Sequence, residues 1–143
     1  MSQTVIDKAK NVVSKVKSLE KKYIRDLKKE VYSLTQNQPK KVYYFPPYEY
    51  KKFWENYLVK FENVNKEYFN SNSLQEKVDK LKIMVKICGE VFAKKAKWET
   101  YSAYKTEFVS MVQLIDNITK ELLSNLEAEA KKVKDGNIDK LNF

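Results

Sequence analysis

Cys88-Gly89 is the first place in this chain to look for a nucleophile. The surrounding pattern argues against one. Cys88 falls on an apolar stripe with Val85 and Phe92, and burial in apolar surroundings raises a thiol pKa and makes it inert. Gly89 is expected to let a neighbouring helix or ring come close. Paired carboxylates hold two metals in a bundle when Glu-x-x-His recurs on two helices, and the chain has no histidine. The commonest metal ligand and the usual acid/base residue near neutral pH are therefore missing. Glu127 and Glu129, two apart, face different sides and read as a solvated face. Two isolated glycines make no phosphate-binding loop, and neither a Ser/His/Asp set nor a zinc-ligand set can be assembled. These residue types predict no enzyme, no cofactor and no metal.

The informative constellation is basic. Lys8, Lys15, Lys22 and Lys29 recur every seven residues with Arg25 beside them, and Lys10, Lys17, Lys21 and Lys28 form a second flank. Residues 1–34 carry nine Lys/Arg against four Asp/Glu, which is +5 of the chain's +9. Such a face suits an acidic partner: nucleic acid, an anionic membrane or an acidic protein surface. All but one of the 28 cationic residues are lysine. Lysine is a flexible point charge, whereas base-edge reading usually relies on the planar arginine fork, so contact with nucleic acid should be to the backbone. The competing reading is a face that merely keeps the protein soluble.

A helix must position these charges. From Thr4 to Leu34 apolar side chains fall at Val5, Ala9, Val12, Val16, Leu19 and Tyr23, then at Ile24, Leu27, Val31 and Leu34. Steps of three and four residues make this one helix, with a one-residue slip at Tyr23/Ile24 that keeps a straight rod's stripe on one side. Thr4 and Asp7 are placed to cap its start, and Pro39 marks its end.

Three more helices follow. The second starts near Pro47 and buries Phe53, Trp54, Tyr57, Leu58, Phe61, Val64 and Tyr68. Ser73 and Glu76 form a capping box for the third, whose stripe is Leu74, Val78, Leu81, Val85, Cys88 and Phe92. Periodicity lapses between Ala93 and Thr100, then returns in Tyr104, Phe108, Met111, Ile115, Ile118, Leu122, Leu126, Ala130 and Val133, with Gly136 as the stop. The spacing predicts helices over about 4–35, 47–69, 73–94 and 100–135 and a tail over 136–143. At 143 residues, with two glycines and three prolines, the chain fits one all-α domain: an antiparallel four-helix bundle with long first and last helices and a Tyr/Pro-rich 35–47 connection.

That connection ends in Tyr43-Tyr44-Phe45-Pro46-Pro47-Tyr48-Glu49-Tyr50, more aromatic area than a solvated loop requires. It reads either as a lid over the bundle or, with Phe143 of the tail, as a surface that docks on a neighbouring subunit or partner. The amino terminus lacks the apolar core of a signal peptide, and no run reaches the roughly 18–20 apolar residues of a membrane span. A soluble protein made and kept inside a cell, or packed into a particle there, is expected.

A Lys/Tyr/Asn-rich, His-free, Gly-poor chain with this aromatic-proline segment resembles small helical-bundle proteins of viruses that infect hot-spring archaea. Closest in kind are the coat proteins of tailed spindle-shaped (bicaudavirus-like) and filamentous viruses. The resemblance implies a structural coat protein that self-assembles helically, its basic helix faces against nucleic acid. A related group implies the alternative, a regulator that binds and inhibits the host RNA polymerase. The third reading is a non-specific nucleic-acid-binding module.

Overall fold

A computed structural model describes residues 3–36, 48–94 and 102–132, with side chains for residues 10–36, 52–94 and 108–132. Four helices occupy them: α1 (Gln3–Gln36), α2 (Tyr48–Phe69), α3 (Leu74–Lys94) and α4 (Ser102–Ala130). At about 1.5 Å per residue, the 34 residues of α1 make a rod of about 50 Å.

Its buried stripe is Val12, Val16, Leu19, Tyr23, Leu27, Val31 and Leu34. Ile24 is only half-buried, so the slip predicted at Tyr23/Ile24 does not occur. Steps of four, three, four, four, four and three average close to the 3.6 residues of a straight helix, and the stripe holds its side without slipping. Because α1 already includes Gln3, Thr4 lies inside the first turn and not at the cap.

The α2–α3 junction is closed by side chains. Ser71 Oγ donates to the Glu67 carbonyl at 2.8 Å. Ser73 Oγ accepts from the Glu76 amide at 3.2 Å, the first half of the capping box. The return bond differs: the Glu76 carboxylate accepts from the amide of Asn72, one residue before the cap.

The α3 stripe is broader than six positions. Met84, Ile87 and Val91 are buried with Leu74, Val78, Leu81 and Cys88, while Val85 and Phe92 are half-buried. α3 packs against both α2 and α4, so both flanks of its inner face are covered. Gly89 is exposed, and a Cβ placed there would meet nothing within 4 Å. No helix or ring comes close to it among the described residues.

The core falls into two clusters that fix the topology. One joins Leu27, Val31 and Leu34 to Trp54, Tyr57, Leu58, Phe61 and Val64 of α2, the last half of α3 and the first half of α4. In it Phe108 meets Trp54 at 4.7 Å between ring centroids and Phe53 at 5.5 Å, and the Trp54 indole donates to the Leu34 carbonyl at 3.0 Å. The other joins Val12, Val16, Leu19 and Tyr23 to Tyr68, the start of α3 and Leu122 and Leu126. Each helix therefore runs opposite to the next, giving an up-down-up-down bundle in which α1 touches α4 extensively and α2 much less. α4 ends at Ala130 in a turn at Lys131 and Lys132, short of the predicted 135. Gly136 and the 136–143 tail lie outside the described residues, as does the 95–101 segment.

Candidate interaction surface

Neighbouring helices set the register of α1 and so decide which of its residues reach solvent. On the α4 side, Tyr23 Oη donates to Glu121 Oε1 at 2.9 Å. One cleft of about 550 Å³ there is lined by Asn11, Val12, Lys15, Glu129 and Lys132. On the α2 side, Thr35 Oγ1 donates to Glu62 at 3.5 Å, and the Lys28 ammonium sits 4.3 Å from the Phe69 ring centroid. Across the bundle, Lys77 Nζ of α3 meets Glu20 Oε2 at 3.1 Å.

The face left over is cationic. Lys10, Lys15, Lys17, Lys21, Lys22, Arg25, Lys28 and Lys29 are all exposed. Of the carboxylates between residues 10 and 36, Glu20 and Glu30 are half-buried and Asp26 alone is exposed. The heptad row lies toward α4, where Lys15 enters the cleft, and the second row toward α2, where Lys28 covers Phe69. Arg25 lies between them. Lys8 falls on α1 with its side chain outside the described residues.

Ion pairing is distributed unevenly. Pairs among the described residues include Lys60–Glu90, Lys77–Glu20, Lys80–Glu67, Lys120–Asp116 and Lys132–Glu129. In these pairs each cation comes from α2, α3, α4 or the turn after it, and α1 contributes one acid. Among the described residues, no carboxylate lies within ion-pairing distance of Lys15, Lys22, Arg25 or Lys29. Beside them on the same outer face, Tyr32 is 63% exposed.

Of the residues predicted to dock on a neighbour, Tyr43, Tyr44, Phe45 and Phe143 lie outside the described residues. Tyr48 and Tyr50 fall in the first turn of α2, their side chains likewise outside.

Sequence periodicity misplaced one acid and passed over several polar groups. Glu129 is not on a solvated face but buried, its carboxylate 2.9 Å from Lys132 Nζ. Asp116, Thr119 and Lys77 are also buried. Lys77 was legible: three after Leu74 and four before Leu81, it sits on the stripe itself. Its ammonium also lies 4.6 Å from the Tyr68 ring centroid. Burial first, then the Glu20 charge, holds the Tyr68 phenol well above its ordinary pKa.

Cys88 is fully buried. Burial, and after it the charge of Asp116, pushes its thiol up to about 12, the inert state expected of a core cysteine. Among the described residues no group of three or more His, Cys, Asp or Glu is placed to hold a metal ion, and no helix is long and apolar enough to cross a membrane. Comparison with protein-family models, with curated proteins and with solved structures finds no match.

Proposed function

We propose that this protein is a structural, non-enzymatic subunit that coats nucleic acid, as a virion coat protein does, by setting the outer face of α1 against backbone phosphates. The observation that carries this reading is the row of exposed cations on one continuous helix with Asp26, among the described side chains of α1, as the only exposed carboxylate. Residues 10–36 present this face over about 40 Å, a length that runs beside about a dozen base pairs at 3.4 Å each. Lysine suits the task because a point charge follows a phosphate chain without demanding a particular base.

Salt-dependent binding is the test. If Lys8, Lys15, Lys22 and Lys29 each neutralise a phosphate, the log–log slope of affinity against salt is about −3 to −4 on duplex DNA, with little dependence on sequence. Lys15→Gln, Lys22→Gln and Lys29→Gln together reduce that slope by about 3. A flat salt response would leave the lysines as a solubility face. Negative-stain imaging with and without DNA reads the assembly: filaments support the coat reading, whereas a strict monomer that still binds DNA leaves only a binding module. Retrieval of RNA polymerase subunits from a host extract, with inhibition of purified transcription, favours the regulator.

A further inference from the structure

We infer that the α1–α2 seam is a stacking site for unpaired bases, so that the protein binds single-stranded nucleic acid through Tyr32 and Phe69 as well as through its lysines. This rests on the nucleic-acid reading above and narrows it. Tyr32 is 63% exposed, the most exposed large apolar side chain among the described residues, and Phe69 is 37% exposed. Tyr32 lies three, four and seven residues after Lys29, Lys28 and Arg25, spacings that put all four side chains on one helix face.

Lys28 links the two rings. Its ammonium sits 4.3 Å from the Phe69 centroid, and Tyr32 is one helical turn further along α1, about 5.4 Å. Among adjacent helices α1 and α2 touch least, and both rings remain open to solvent. The described carboxylate at the seam's far end is Glu62, held by Thr35. Exposed rings among cations are what a sequence-tolerant single-strand site needs: a face for each base and a charge for each phosphate. Duplex DNA keeps its bases stacked inside and meets only the charges.

The test compares fluorescently labelled oligothymidine with a duplex of the same length at one salt concentration. Tyr32→Ala should weaken oligothymidine binding about tenfold or more and leave duplex binding unchanged, while Tyr32→Phe restores it. Phe69→Leu should give a smaller loss in the same direction. Both positions are exposed, so circular dichroism should show unchanged helicity. If Tyr32→Ala lowers single- and double-strand affinity equally, or neither, the stacking site is overturned and backbone binding stands. If the wild-type protein binds neither polymer, the reading beneath it fails as well. Association through Tyr32 with an acidic protein, with no oligothymidine binding, also overturns it.

Discussion

Replacing Lys77 by methionine tests the least expected feature of the core. The Lys77 side chain is 5% exposed and that of Glu20 is 16% exposed, with 3.1 Å between their charged atoms. Methionine keeps most of the aliphatic stem and removes the ammonium, leaving the Glu20 carboxylate facing the bundle without its partner. Removing one member of a buried pair costs about 3–5 kcal/mol. Water reaches Glu20 to some extent, so the loss here is expected to fall at or just below that range, about 2–3 kcal/mol. At this chain length that lowers Tm by about 5–10 °C.

The double variant Glu20→Met with Lys77→Met separates charge from packing. Two apolar chains meet where two ions met, and stability should return to within about 1 kcal/mol of the wild type. Urea unfolding of the four proteins gives the coupling energy directly, with a value above about 2 kcal/mol expected. A loss below about 1 kcal/mol for Lys77→Met, or a double variant as unstable as the two singles added together, would refute the claim that these charges depend on each other.

Other substitutions probe the remaining corrections and the core. Gly89→Ala should stabilise by about 1 kcal/mol, because the helical position is open to a methyl group and glycine costs that much; a lower Tm would mean that something does approach it. Phe108→Ala should cost about 3–5 kcal/mol by emptying the centre of the aromatic cluster, read by urea unfolding. Thr119→Val should be neutral or slightly stabilising, since the buried Thr119 Oγ1 has no hydrogen-bond partner among the described residues. Cys88 should react with a thiol reagent only as fast as the bundle opens. Its thiol, raised from 9.0 to about 12 in the folded state, keeps its proton after the unfolded chain has lost its own. Its contribution is therefore whole below pH 9 and declines as pH rises toward about 12, and Cys88→Ala should flatten that decline in pH-dependent unfolding.

Apolar spacing proved a good guide to where helices run and a poorer one to what lies inside them. The rod, the α2–α3 junction and the alternating directions were legible because three-and-four spacing and a Ser-x-x-Glu cap are local signals. The width of the α3 stripe was not, because it depends on two neighbours pressing from different sides. Counting apolar residues also overlooks a buried ion: Asp116 and Glu129 are polar letters on covered faces, and each is accommodated by a lysine three or four residues on. Gly89 shows the opposite error, a residue type that invites a close-packing argument where the helix faces solvent. The exposed cations of α1 could be read directly, whereas Tyr32 looked like one more aromatic until the bundle left it outside.

The distribution of acids gives the charge on α1 its meaning. A basic protein that needed only solubility would do as well with carboxylates interspersed among its lysines, and the other three helices follow that pattern. Among the described side chains of α1 two acids are drawn inward, Glu20 to Lys77 and Glu30 to a half-buried position, so the cations repel one another with Asp26 alone in the open among them. That self-repulsion opposes folding, and a polyanion bound as proposed would relieve it, linking binding to stability through the same side chains. Lys28 locates the seam: it rests on a ring of the next helix in place of a carboxylate, a weak contact in water and one that, under the stacking proposal, a phosphate beside a stacked base would replace while the ring remains in use.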